Sequence, residues 1–125
     1  MQRIFAATYP FLKPVLENES IVKIGQNIKY DMQVMARHGI EIAPVDDTML
    51  LSYVLEGGAH GHGLDELATL HLGHTNIKYS EVTGTGKKQI SFAEVALDKA
   101  LDYAAEDAEV TGRLYRQLRP RIASE

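Results

Sequence analysis

The sequence predicts an α/β protein that is predominantly helical, and three observations carry that expectation. Between Asp98 and Leu118, apolar or small residues at Leu101, Ala104, Ala108, Thr111, Tyr115 and Leu118 recur in steps of three and four, the spacing of one helical stripe. Shorter helical patterns recur upstream, over 30–38, 48–55 and 64–72. Against them stands one β-rich run, Ile21-Val22-Lys23-Ile24, ended by Gly25. A lone strand has no neighbour to satisfy its backbone, so part of a sheet is expected to be missing.

Taken in order, residues 1–9 show no pattern and are read as a disordered N-terminal segment. Residues 10–120 read as one domain and 121–125 as a tail. A short helix is expected from Pro10 to Asn18, opened by Thr8 or Tyr9, with Pro10 in the first turn where its missing N–H costs little. The strand at 21–25 and the helix over 30–38 follow, with Gly39 placed to close that helix and His38 facing its C-terminus. Val45 suggests a short strand. Asp46 or Asp47 caps the helix Thr48–Leu55, which ends at Gly57-Gly58, so Asp47 is read as a cap and not as a metal ligand. Leu64, Leu67, Ala68 and Leu70 to Leu72 suggest a further helix closed by Gly73. Thr75 to Gln89 reads as a polar surface loop. Ser91-Phe92-Ala93-Glu94 fits a capping box opening a short helix. The long helix comes last, and Pro120 is expected to stop it.

Composition narrows the class. A chain of 125 residues can bury one hydrophobic core. No apolar run approaches the roughly 20 residues of a membrane span, and Met1 to Ala7 is too weakly apolar for a secretory signal. The absence of cysteine rules out disulfides and thiolate metal sites and fits a cytoplasmic place. A formal net charge of −4 argues against a broad electrostatic grip on nucleic acid, while leaving room for a nuclease built from carboxylates and metal.

Two acidic sites far apart in the chain are candidates for chemistry. In Gly25-Gln26-Asn27-Ile28-Lys29-Tyr30-Asp31, the last residue projects near the start of a helix just past a strand end, where open α/β sheets bind ligands. In Tyr103-Ala104-Ala105-Glu106-Asp107, the phenol and the final carboxylate are four residues apart and lie one above the other on a helix. Asp102 and Glu106 are alternative acids that point away from that strip. Together with Asp47-Thr48-Met49-Leu50, His60 to Leu67 and Thr83 to Phe92, these strings resemble, in order and at similar spacing, the 3′-5′ proofreading exonuclease domain of bacterial DNA polymerase I. The resemblance covers nearly all of residues 10–120.

That resemblance implies a ribonuclease H-like fold and two-metal hydrolysis of nucleotides from a DNA 3′ end, with Mg²⁺ or Mn²⁺ as cofactor. It assigns metal-binding, catalytic acids to Asp31 and Asp107, and a water-orienting role to Tyr103. Asn27 and Tyr30 match positions that contact the 3′-terminal nucleotides, with Gln26 beside them. The family's first motif, an Asp-x-Glu pair on the first strand, has no counterpart: ahead of Asp31 the only acids are Glu17 and Glu19, in the wrong context. The expectation is therefore a truncated exonuclease fold missing its N-terminal strands and impaired in activity. Its expected partner is a single-stranded DNA 3′ end, with no membrane. The surface left by the missing strands invites self-association. Two alternatives remain: an inactive module that binds single-stranded DNA, and an RNA exonuclease of the ribonuclease D type.

Other features read more plainly. Gly84-Thr85-Gly86-Lys87-Lys88 fails as a P-loop, because Glu81 stands where the first Gly belongs and Lys88 where Ser or Thr belongs; a surface loop near the DNA backbone is the better reading. Arg113, Arg116, Arg119 and Arg121 complement a helix C-terminus. His60, His62, His71 and His74 form two close pairs, but no sequence rule makes the pairs converge, so zinc is not expected.

Overall fold

Residues 12–124 are described by a computed structural model, and the readings of 1–9 and of the start of the first helix lie outside them. The elements in order are a short helix α1 (12–17), β1 (Lys23–Gly25), α2 (Ile28–Ala36), β2 (Val45–Asp47), α3 (Thr48–Glu56), α4 (Leu64–Leu67), α5 (Tyr79–Thr83) and the long α6 (Leu97–Ser124). α4 runs without a break into a π-helical turn, Ala68–Leu72, which Gly73 closes at φ 62°. One-turn 3₁₀ segments lie at Gly86–Lys88 and Phe92–Glu94.

The strand at 21–25 does have a partner. β1 and β2 pair in parallel, with Lys23 opposite Val45, Ile24 opposite Asp46 and Gly25 opposite Asp47. The short strand suggested at Val45 is that partner; it extends over Val45-Asp46-Asp47, where pairing satisfies the backbone of two aspartates that are poor strand formers. At the start of β1 the buried Lys23 donates through Nζ to the carbonyls of Asn18, Ile21 and Ala43 at 2.6, 2.6 and 2.7 Å. This fastens the strand to the turn before it and to the approach to β2. At the other end Gly25 is obligatory, since a Cβ there would stand 2.9 Å from that of Ile28.

The main core is helix on helix. Val110, Leu114 and Leu118 of α6 bury against Leu67 and Ala68, with Leu51, Leu55, Leu64 and Leu72 packed around them. The buried stripe of α6 therefore differs from the predicted one: Thr111 and Leu118 are buried and Tyr115 half-buried, but Leu101, Ala104 and Ala108 are exposed. The periodicity was correct for a helix; it could not tell that the main core meets only the C-terminal half, while the N-terminal half meets α5 through Tyr103 and Tyr79. Nor does Pro120 stop α6, which continues to Ser124. Loss of one N–H so near the end is offset by pairing beyond it, where Arg121 Nη1 lies 3.7 Å from Glu56. Residues 121–124 are thus helix and not a tail.

Two further expectations need correction. The polar stretch 75–89 contains α5 and a 3₁₀ turn, tied back by Ile90 N–H to the Thr83 carbonyl at 2.8 Å. Ser91 does not form a capping box; its hydroxyl donates to Glu94 Oε1 at 3.1 Å, and the segment makes a single 3₁₀ turn before α6. No helix of the described residues is long and apolar enough to cross a membrane.

Candidate active site

The carboxyl end of β1 opens into a cleft. Its near wall is Ile24, Gly25, Gln26 and Asp31, and its far wall is Leu64 with Asp107, Ala108, Thr111 and Gly112 of α6. The open space is about 460 Å³. Two acids from opposite ends of the sequence thus line one cavity, Asp31 from the first turn of α2 and Asp107 from the middle of α6.

Asp31 is placed by a chain of backbone contacts. Gly25 lets the strand turn tightly into α2, and Asn27 takes the left-handed conformation (φ 55°, ψ 49°) as the residue before the helix. Asparagine tolerates that region better than most residues. The buried carboxylate of Asp47 then receives the N–H groups of Asn27 at 2.8 Å, Ile28 at 3.1 Å and Met49 at 2.9 Å. Asp47 is a cap, as its sequence position implied, but for two helices at once. Its charge also reaches Asp31, whose carboxyl is raised above its ordinary value, first by burial against the cleft and then by Asp47.

On the far wall, Asp107 is raised to about 6. Burial is the larger cause, the charges of Asp65 and Glu106 add to it, and a hydrogen bond from Tyr103 opposes it. The Tyr103 hydroxyl is in turn pushed up to about 12 by burial and by the neighbouring Asp107. Its ring is held by Tyr79 and Phe92, each with its centroid 5.9 Å away. A cleft lined by two carboxylates, each raised by burial and by nearby acids, with no cation among the described side chains lining it, favours a positive charge.

The remaining sequence candidates divide. Gln26 lines the cleft, but both ends of its amide are engaged: Nε2 donates to the His62 carbonyl at 2.7 Å and Oε1 accepts from Thr48. That fixes the strand-to-helix turn and leaves one of the two amide N–H groups for other partners. Asn27 and Tyr30 are exposed beside the cleft, Tyr30 at 66%. Glu106 is turned away from the cleft, accepting from Ile77 N at 2.5 Å and lying 3.3 Å from His74 Nε2. Glu17 is bound by Lys13 and the Glu41 N–H, far from a role at this site. Asp65, which acts on Asp107 through its charge, was not singled out from the sequence; its only signal is an acid at the start of a helix, a place where acids are common.

The histidines also sort themselves. His62 is buried, accepting from Ser52 at 2.6 Å and donating to the Gly57 carbonyl at 2.6 Å. His74 pairs with Glu106. His60 and His71, from the two separate pairs, do meet, and they meet on Glu56.

Comparison with known proteins agrees with this geometry. The sequence pattern of the 3′-5′ exonuclease family matches residues 2–123. The chain is 51% identical over 115 residues to DNA polymerase I of Rhizobium leguminosarum, covering 92% of this chain and 11% of that protein. It is 46% identical over 110 residues to DNA polymerase I of Pseudomonas aeruginosa, covering 86% of this chain and 12% of that one. Among solved structures, Brucella melitensis NrnC superposes with a TM-score of 0.74 at 27% identity, over 90% of this chain and 52% of NrnC. NrnC bound to pGG gives the same TM-score at 28% identity, over 92% and 53%. The chain thus spans about a tenth of its polymerase relatives and about half of NrnC, and its two strands with their helices are part of a 3′-5′ exonuclease fold.

Proposed function

Since the chain belongs to the 3′-5′ exonuclease family, in its DNA polymerase I branch, we propose that its cleft hydrolyses nucleotides from DNA 3′ ends, as a proofreading site does, and that these 125 residues alone do so slowly. The observation that carries the reading is the shared cleft of Asp31 and Asp107. In the reaction, water attacks the terminal phosphorus, the bond from phosphorus to the 3′ oxygen breaks, and a nucleoside monophosphate leaves a strand with a new 3′ hydroxyl.

The residues fit a hard divalent cation such as Mg²⁺ or Mn²⁺: two carboxylates, one of them raised to about 6 by burial and by the charges of Asp65 and Glu106, face open space able to hold water and phosphate. When bound, such ions would supply charge stabilisation at phosphorus and a more acidic water. Asp31 and Asp107 would hold them from opposite walls. Tyr103, protonated at any physiological pH, can turn its hydroxyl from Asp107 to a water and orient it. Exposed Asn27 and Tyr30 are placed to meet the terminal nucleotides, and Gln26 acts by fixing the turn that presents them. Lys87 and Lys88, exposed on their 3₁₀ turn, suit the strand's phosphates. The slow rate follows from the ligand count. With no Asp-x-Glu pair ahead of Asp31, each ion would have about one protein carboxylate.

Likeness to NrnC, solved with pGG, keeps a second substrate in view: short RNA ends in place of DNA. The test is release of nucleotides from 5′-labelled single-stranded DNA and RNA of one sequence, with Mg²⁺ or Mn²⁺, beside Asp31→Ala and Asp107→Ala. Slow shortening from the 3′ end of DNA, reduced to background in both variants, is the expected result. Faster shortening of RNA would move the substrate, and a fast Mg²⁺-dependent rate abolished by Asp107→Ala would overturn the impairment. Binding of DNA without any metal-dependent cleavage would reduce the chain to a binding module.

A further inference from the structure

We propose that Glu56, His60 and His71 form a zinc site, separate from the acidic cleft. The three come from different elements: Glu56 is the last residue of α3, His60 follows the Gly57-Gly58 turn, and His71 lies in the π-helical turn. His60 Nε2 and His71 Nε2 approach the same atom, Glu56 Oε1, at 3.2 and 3.0 Å. One ligand atom from each of the three residues lies within 4.8 Å of the others.

The two rings stand at ion-pair distance from the carboxylate, but the angles fall outside hydrogen-bonding geometry and all three atoms are buried. Buried polar atoms held together in that state are costly, and a cation between them would offset the cost. The spacing suits a cation. Donors about 2.0–2.1 Å from a tetrahedral metal stand about 3.3 Å apart. The tautomer suits it as well. His60 Nδ1 donates to the Gly61 carbonyl at 2.6 Å, which puts the ring's lone pair on Nε2, the atom aimed at the cluster. His71 is the most enclosed of the three, its side chain 10% exposed.

The chemistry selects the metal. Two imidazoles and one carboxylate are the donor set of zinc, with a fourth position left for water. The Arg121 guanidinium, 3.7 Å from Glu56 Oε1, opposes a cation held by charge alone. This disfavours Mg²⁺ and Ca²⁺, which depend on oxygen ligands and charge, and favours an ion bound through nitrogen coordination. Occupied, the site would pin the end of α3 to the π-helical turn against which α6 packs.

The test is calorimetric titration of the chelator-treated chain with Zn²⁺, in excess Mg²⁺ so that the acidic cleft is not counted. One zinc per chain is expected, with a higher melting temperature in its presence. His71→Ala should weaken binding by at least about a hundredfold, since loss of mere supporting partners already costs 10–100-fold. His74→Ala and Asp107→Asn should bind as the parent does. If His71→Ala does not fold, His60→Ala gives the same reading, and Co²⁺ in place of Zn²⁺ gives visible absorption bands that either variant should lose. Absence of stoichiometric binding, binding unchanged in both histidine variants, or binding lost in Asp107→Asn would each overturn the site.

Discussion

Asp107 carries a charge that its surroundings resist, and this has a consequence for stability. Its folded carboxyl titrates near 6, above the ordinary 3.8, so between those values the folded chain holds a proton that the unfolded chain has released. Stability contributed by that proton is present at low pH, falls as pH rises through about 6, and is absent above it. In metal-free buffer Asp107→Asn should therefore raise the melting temperature by a few degrees at pH 8, and the gain should fade toward pH 4. Added Mg²⁺ should stabilise the parent and not the variant; equal melting curves across the range would mean that the carboxyl is not perturbed. At this scale the recognisable strings pointed to Asp31 and Asp107, which the structure brings to one cleft, and to Tyr103 beside Asp107. The sequence was silent on Asp65 and on the meeting of His60 with His71, because those depend on distances between segments that no local spacing encodes. Glu56 and His60, four apart, were a visible pair, but the glycines between them hid which way they would face.

Among elements, β2 shows what local reading can and cannot give: a short strand at Val45 was legible, its pairing with β1 was not. Its three residues include two aspartates, a poor strand by propensity, and the pairing with β1 decides the matter. Once formed, it delivers Asp47 to the starts of α2 and α3 together. Asp47→Ala would leave three N–H groups without their charged acceptor and should cost about 2–4 kcal/mol, measured by urea denaturation. Asp46→Ala, next in line but half exposed and paired with Tyr115 at 2.8 Å, should cost about 1 kcal/mol. Equal costs would remove the special place given to Asp47. The long helix teaches the converse lesson. Its period was legible from end to end, but the main core, built with α3 and α4, takes in only Val110, Leu114 and Leu118 of it.

For the molecule as a whole, β1 pairs on one side only among the described residues, and apolar side chains beside it and on α6 are open to solvent. Ile21, Val22 and Ile24 are 41%, 48% and 40% exposed, and Leu101, Ala104 and Ala108 are exposed on α6. A strand edge beside apolar side chains is a template for further pairing, so the chain should self-associate as concentration rises. Light scattering that reports a strict monomer at high concentration would count against this. The helical balance of the fold was legible from the sequence, and so was the sense that its sheet was too small. Asp47 joins these scales. Because one carboxylate holds the first turns of α2 and α3, the two helices share an anchor point. α3 is then a rod about 13 Å long, with that anchor at one end and Glu56 at the other. The acid at position 31, in the first turn of α2, and the histidines around Glu56 are tied to the same fixed point.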